Sequence, residues 1–322
     1  MMEDFVTSAV HQSQHYKEAI KHIKDRKDGL ITSFKTPWDK LNDQTLDGFE
    51  WRTMVTLAAR SSVGKTAIKD QIIRLAHNLN PNTQFEIVEF QFELPPTSHV
   101  IRQLAGYTGM PYEKILSKQR MADDDFEKIK RNAKSIVTSL QLPYVVSRPL
   151  NVEGLRKEIE YHSGVLFAGK KVVYTLDHAG LVLRTSKADE RTTLIELAAM
   201  ITEMKNKYDL IFILLTQMNR NIEKPERNTD GSAGNFITSS DIMGSDAVMQ
   251  HSDILIGINR PGMFNIRYYG PMRYQIHTRY DTVFHMIKNR NGEAGQLLWF
   301  KFNGSTMSLE EMDTPASKET LF

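Results

Sequence analysis

Val55-Thr-Leu-Ala-Ala-Arg-Ser-Ser-Val-Gly-Lys-Thr-Ala67 runs from an apolar stretch into a turn of small residues that ends in Gly64-Lys65-Thr66. Val55 to Leu57 predict a strand, and Ala67, Ile68, Ile72, Ile73 and Leu75 recur at helical spacing. A strand, a small-residue loop and a helix in that order are the setting in which Gly-Lys-Thr binds phosphate; without them the same residues make a Gly-capped turn before an ordinary surface helix. The backbone amides of Ala59, Arg60, Ser61, Ser62, Val63, Gly64, Lys65, Thr66 and Ala67 would then surround a phosphate at a helix N-terminus. Lys65 would reach the outer phosphates and Thr66 would offer its hydroxyl to magnesium. One departure is visible: Ala59 stands where the usual motif begins with Gly.

Composition narrows the class. The 322 residues suffice for one large domain or two small ones, and 40% hydrophobic content fits a globular core. A formal net charge of +2 leaves a nucleic-acid partner undecided, so any basic surface must come from local clustering. The absence of cysteine excludes disulfides and thiol chemistry. The first residues lack a basic segment followed by an apolar one, and no apolar run approaches the roughly 18 residues of a membrane span. The expectation is a cytoplasmic protein with no membrane partner.

Residues 3–28 read as an amphipathic helix, with Phe5, Val6, Ala9, Tyr16, Ile20 and Ile23 on one side and Gly29 as the stop. Its stripe packs either on its own domain or on a neighbouring subunit. Phe85 to Leu94 read as a strand closed by Pro95-Pro96, with Glu93 at its C-terminal end, where open α/β sheets place ligands. Glu93 either positions an attacking water or is a solvated edge residue. Lys170 to His178 form an apolar strand ending at Asp177, a carboxylate able to hold the water shell of a phosphate-bound magnesium or simply to form a turn. Leu210 to Gln217 form another buried parallel-type strand, and terminal Gln217 either senses phosphate or caps a loop.

Residues 219–240 are polar, rich in Gly, Asn and Thr, and too long for an idle connector, which makes them either a mobile functional loop carrying Arg220, Lys224 and Arg227 or a disordered insertion. Further on, Val283 to Ile287 and Gln296 to Phe302 flank Lys288-Asn-Arg-Asn-Gly292 as a hairpin, whose alternation turns Lys288 and Arg290 the same way. That hairpin either serves chemistry or blunts a sheet edge. The polar tail 312–322 is expected to be disordered. Residues 260–282 mix Arg, Tyr, Gly and Pro without period and have no assigned role.

In order, these elements resemble the RecA-like motor domain of the DnaB-type replicative helicases. Residues 58–67 are similar to that family's phosphate loop, in which Ala at the first position is common. Phe90 to Pro95 resemble its strand with the catalytic glutamate, here Glu93. Asp177 matches its magnesium-linked aspartate, with His178 where Tyr is usual. Thr216 to Arg220 resemble the segment whose glutamine, here Gln217, couples the γ-phosphate to DNA loops. Residues 240–253 resemble the stretch after those loops, and Lys288 to Gly292 the hairpin that reaches a neighbour's nucleotide.

The resemblance implies an α/β fold: a RecA-like P-loop ATPase core with a mostly parallel sheet flanked by helices and a C-terminal β-hairpin. It implies a linker-like helix in residues 1–29 docking on a neighbour, a motor domain over 30–311, and a motor-only chain without the N-terminal domain that bacterial members use for collar formation and primase contact. It further implies ATP or another NTP with Mg2+, and a homo-oligomeric, hexameric ring on single-stranded DNA with a possible loader or primase. Lys65, Glu93, Gln217 and, in trans, Lys288 and Arg290 would carry catalysis. Thr66 and Asp177 would hold the metal and its water. Arg184, Lys187, Arg191, Arg220, Lys224 and Arg227 would meet DNA phosphates. A recombination or strand-exchange ATPase and a nucleotide-gated loading module share enough of this pattern to stand as alternatives.

Overall fold

A computed structural model describes residues 11–185, 189–227 and 235–317. The chain divides into two compact units, Met1–Ser33 and Phe34–Phe322. In the first, α1 (Gln12–Lys27) stops where the sequence predicts: Gly29 has φ 73°, and the Leu30 amide turns back to the Asp25 carbonyl at 2.8 Å. Tyr16, Ile20 and Ile23 on this helix are all exposed. Phe5, Val6 and Ala9, which the expected helix included, lie outside the described residues.

The second unit contains, in chain order, α2 (Asp39–Gln44), β1 (Thr53–Ala59), α3 (Lys65–Leu79), β2 (Phe85–Gln91), α4 (Pro96–Thr108), α5 (Tyr112–Ile115), α6 (Asp123–Ser139), β3 (Tyr144–Val146), α7 (Val152–Tyr161) and β4 (Lys171–Asp177). There follow α8 (Glu190–Lys207), β5 (Leu210–Gln217), α9 (Ser245–His251), β6 (Ile254–Asn259), β7 (Tyr268–Tyr269), β8 (Tyr274–Gln275), β9 (Asp281–Asn289), β10 (Leu297–Asn303) and β11 (Ser308–Met312). A nine-stranded sheet runs β11-β10-β9-β6-β1-β5-β4-β2-β3. From β3 to β6 every pairing is parallel, and β9, β10 and β11 continue it antiparallel.

β1 lies between β5 and β6 with every residue buried. Its faces feed separate cores: Val55, Leu57 and Ala59 pack with Ile68, Ile72 and Phe85, whereas Met54 packs with Tyr174, Leu197 and Phe212. A strand buried on both sides needs the continuous apolar run seen in the sequence rather than an alternating one. The chain passes from β1 to β2–β5 on one side and returns to β6 on the other, so β1 sits at a topological switch point, where such sheets open a crevice at their carboxyl ends.

Two expectations change. The hairpin is part of a three-stranded antiparallel extension, because β11 adds to β10. The tail is ordered further than expected: Met312 ends β11, the Met312 carbonyl accepts from Lys40 Nζ at 2.9 Å, and the Ala316 carbonyl accepts from the Gln275 amide at 2.9 Å. These backbone partners are distant in sequence and leave no trace in composition. Residues 318–322 lie outside the described set.

The segment 260–282 contains the β7–β8 ribbon and packs Ile266 and Tyr269 against Val283 and Trp299. Tyr269 is fully buried with its hydroxyl 2.7 Å from His285 Nε2, and burial pushes the His285 imidazole down to about 3. The neutral ring therefore sits in this core without an ionic partner. The same segment holds the returning end of the long loop: the Asn235 carboxamide bonds to the Tyr268 carbonyl and the Gly270 amide, and the Phe236 ring lies 4.4 Å from His285.

Candidate nucleotide site

At the end of β1 the chain turns through Ser62 with φ 63° and Gly64 with φ 111°, the left-handed backbone that lets successive amides converge on one point before α3 begins. Space is tight as well, since a Cβ at Gly64 would lie 3.2 Å from the Phe302 ring, which would have to give by a few tenths of an ångström. Lys65 is buried, and its ammonium donates to the carbonyls of Ala59 at 3.1 Å and Arg60 at 3.3 Å. Burial lowers its pKa, and the carboxylates of Asp177 and Glu93 oppose that shift. Both carboxylates thus act on the Lys65 charge.

Strand register gathers the other predicted residues at the same edge. Ala59 pairs with Gln217, and the Met218 amide bonds to the Ala59 carbonyl at 3.1 Å. Gln91 pairs with Asp177, and the Phe92 amide bonds to the Asp177 carbonyl, which places exposed Glu93 just beyond. The Thr66 hydroxyl donates to Asp177 Oδ2 at 2.7 Å, while Asp177 Oδ1 is buried with no hydrogen-bond partner. His178 Nδ1 accepts from the Gly180 amide, and its Nε2 lies 3.4 Å from the Gln217 carboxamide. Burial lowers the His178 pKa against the pull of Glu93 and Asp177, favouring a neutral ring between Gln217 and the acidic pair.

Ser61, Ser62, Gly64, Lys65, Glu93 and Gln217 line a cleft of about 380 Å³, together with residues the sequence reading missed: Arg102, Arg260, Phe302 and Met307. Arg260 directly follows β6. The rule that singled out Glu93 and Gln217, a polar residue at the carboxyl end of a parallel strand, would have found it. Its guanidinium lies 4.3 Å from the Phe302 ring centroid and donates to the Arg279 carbonyl at 3.2 Å. Arg102, on α4, carried no comparable signal.

Beneath the cleft, Lys69 is fully buried one turn below Lys65. It contacts Asp70 at 2.6 Å, Glu89, Gln91 Oε1 at 3.3 Å and His99 at 3.4 Å. Asp70, Glu89 and His99 have the spacing of a metal-ligand group, but the Lys69 ammonium pairs with both carboxylates and already supplies the cation, while His99 Nε2 lies 2.9 Å from Asp70 Oδ1. The cluster ties α3 to β2 and α4, the elements on which Lys65, Glu93 and Arg102 depend.

The 219–240 loop leaves and returns beside Gln217: the Met243 amide bonds to the Gln217 carbonyl at 3.1 Å and the Asn219 amide to the Asp241 carbonyl at 2.7 Å. Arg227, expected to meet DNA, is bound instead by both oxygens of buried Asp241 and donates to the Phe236 carbonyl at 3.2 Å. Although burial works against ionisation, Arg227 and Thr238 hold the Asp241 carboxyl below its ordinary value. Lys224 is exposed, and Arg220 begins a short 3-10 turn. Arg184 pairs with Glu190 at 3.2 Å and Arg191 with Asp246 at 3.0 Å; Glu190 is half-buried and the other three are exposed. Lys187 lies outside the described residues.

Lys288 and Arg290 do not join the cleft. β9 runs antiparallel to β6, so Asn289 pairs with Ile254 at the opposite edge of the sheet. Lys288 Nζ donates to the Met249 and Gln250 carbonyls at the end of α9, and Arg290 pairs with Asp253 at 2.8 Å. Neither can reach the phosphate loop of its own chain.

Comparison with known proteins agrees with this geometry. The profile of the DnaB-like helicase C terminal domain matches residues 33–311. The chain belongs to that family. It is 24% identical over 238 residues to the replicative DNA helicase DnaB of Pasteurella multocida, covering 73% of this chain and 48% of that protein. It is 24% identical over 324 residues to the DnaB of Geobacillus stearothermophilus, covering 94% and 64%. The chain thus spans about half to two thirds of these relatives' length. A solved ATPase domain superimposes with TM-score 0.79 at 16% identity, covering 95% of this chain and all of that one. A solved DnaB-like replicative helicase, described with its primase interactions, superimposes with TM-score 0.74 at 15% identity, covering 95% and 68%. The expected RecA-like core is the fold observed. Among the described residues no helix is long and apolar enough to cross a membrane.

Proposed function

We propose that this chain is the motor of a replicative DNA helicase, hydrolysing ATP or another NTP between subunits of a hexameric ring and moving along single-stranded DNA to unwind duplex. The observation that carries the reading is the gathering of Lys65, Thr66, Asp177, Glu93 and Gln217 at one sheet edge, with Gln217 at the root of the 219–240 loop. The matching family is a helicase family, so the strand-exchange and loading-module alternatives gain no support.

In this reading the phosphate-loop amides and Lys65 hold the phosphates. The donor set fits a magnesium ion, because the Thr66 hydroxyl and the unpartnered Asp177 Oδ1 offer hard oxygen at one point. When bound there, the ion neutralises charge on the phosphate chain. Glu93 orients the attacking water and accepts its proton. Gln217 links the phosphate end of the cleft to the loop behind it.

Lys288 and Arg290, far from their own cleft, would complete a neighbour's, where an inserted cation is worth roughly 10³-fold or more in rate. The exposed stripe of α1 would dock on an adjacent subunit. Arg184, Lys187, Arg191, Arg220 and Lys224 would face DNA; exposed pairs such as Arg184–Glu190 are worth only about 0–1 kcal/mol and exchange readily for phosphate. A loader or primase remains a candidate partner.

The test is ATP hydrolysis by the full chain with and without single-stranded DNA, beside Glu93→Gln, with assembly size measured on the same samples. DNA-stimulated turnover that collapses in the variant while a ring persists is the expected result. Nucleotide-dependent assembly without turnover would overturn the catalytic reading.

A further inference from the structure

His178 follows β4 directly, and its two ring nitrogens have different partners. Nδ1 accepts from the Gly180 amide at 3.1 Å, which caps the short 3-10 turn Ala179–Leu181. An amide N–H donates only to a ring nitrogen that carries no proton, so the imidazole is neutral and its proton sits on Nε2. The ring has little room to turn, since a Cβ at Gly180 would lie 3.0 Å from His178 Cε1 and 3.2 Å from Nδ1.

His178 and Gln217 both line the nucleotide cleft. Nε2 lies 3.4 Å from the Gln217 carboxamide, and among the described residues no other group is within hydrogen-bonding reach of it. A carboxamide has an acceptor end and a donor end of similar shape, and a half-turn about its last bond exchanges them. Beside an Nε2–H, only the orientation that presents Gln217 Oε1 makes a hydrogen bond; the other sets two donors against each other. The ring therefore leaves the Gln217 N–H groups for the cleft, where phosphate oxygens can only accept.

We infer that His178 is a positioning residue that sets the hydrogen-bond polarity of Gln217, turning its N–H groups toward the terminal phosphate of a bound nucleoside triphosphate. The inference rests on the reading of this cleft as a nucleoside triphosphate site. A carboxamide turned the other way would offer an acceptor to the phosphate and weaken recognition of the group that hydrolysis removes. The Gln217 carbonyl holds the returning end of the 219–240 loop through the Met243 amide, so the residue being oriented is also the one that meets the loop.

Equilibrium titration of the full chain with a non-hydrolysable fluorescent ATP analogue and with the matching ADP analogue, both with Mg2+, tests it, because Gln217 should count only where a γ-phosphate is present. His178→Asn keeps an acceptor for the Gly180 amide but is too short to reach Gln217. It should lower the preference for the ATP analogue over the ADP analogue by about 3- to 10-fold while holding the urea midpoint near that of the wild type. His178→Gln carries an amide donor toward the position of Nε2 and gives up the cap, so it should keep most of the preference and lose stability. A merely structural role would rank the two variants the other way, and that ranking would overturn the inference. So would an equal loss from His178→Asn in the Gln217→Ala background, where a residue that works through Gln217 has nothing left to position. A wild-type chain that binds both analogues equally would overturn the Gln217 role and this inference with it, leaving nucleotide binding intact; one that binds neither would remove the reading of the cleft itself.

Discussion

Lys69 and Lys205 are both buried lysines paired with carboxylates, at opposite edges of one sheet, yet their surroundings differ. At the far edge Asp253 uses every acceptor: Oδ2 takes Lys205 and the Met54 amide, and Oδ1 takes Arg290. Under the cleft, Lys69 meets Asp70 and Glu89, but Glu89 Oε1 and Gln91 Nε2 stay buried without partners, as does nearby Asp177 Oδ1. Buried polar groups are normally satisfied, so a cluster of exceptions marks where structure has yielded to something else. The saturated edge secures the N-terminal ends of β1 and β6. The unsaturated edge lies beneath the cleft.

The comparison predicts unequal costs. Lys69→Met should destabilise the protein by about 3–5 kcal/mol, because it leaves Asp70 and Glu89 buried without the ammonium that pairs with both. Lys205→Met should cost less, about 1–3 kcal/mol, since Asp253 keeps Arg290 and the Met54 amide. Urea unfolding of the two variants side by side checks this. Equal losses would show that the open acceptors beneath the cleft carry no energetic meaning.

Gly64→Ala should cost about 1–3 kcal/mol through its backbone conformation alone, and more in nucleotide affinity, because the new methyl meets Phe302 where the loop must keep its shape. A variant with normal stability and normal binding of a fluorescent ATP analogue would mean that the loop curvature is not needed for phosphate.

Much of this edge was legible because parallel strands place their ends together. Once Val55–Ala59, the strand before Glu93, the strand ending at Asp177 and the one ending at Gln217 are recognised, register alone brings those residues to one place. Arg102 was not legible: it lies mid-helix on α4, and its position depends on how His99 meets Asp70 across two helices. The ordered stretch through Ala316 and the β7–β8 ribbon were hidden for a related reason, since their stability comes from partners far away in sequence. Arg227 shows the opposite failure. A basic residue in a polar loop reads as a phosphate contact, but a carboxylate 14 positions on, Asp241, claims it in the fold.

Within the loop, Lys224 and Arg227 offer the finest comparison, between an exposed cation and a half-buried one held by a carboxylate. Arg227→Ala removes both hydrogen bonds from buried Asp241 and the tie to the Phe236 carbonyl, so its main effect should be on stability and on the ordering of the loop ends. Lys224 is exposed, and its alanine variant should unfold normally, keep basal ATP turnover and bind single-stranded DNA more weakly. One lost phosphate contact flattens the slope of log affinity against log salt by about 0.7 on single strands. Fluorescence anisotropy of a labelled oligonucleotide across a salt series reads that change directly. An unaltered slope in Lys224→Ala would remove this part of the loop from the DNA path, and an altered slope in Arg227→Ala at unchanged stability would mean that Asp241 releases its partner when DNA arrives.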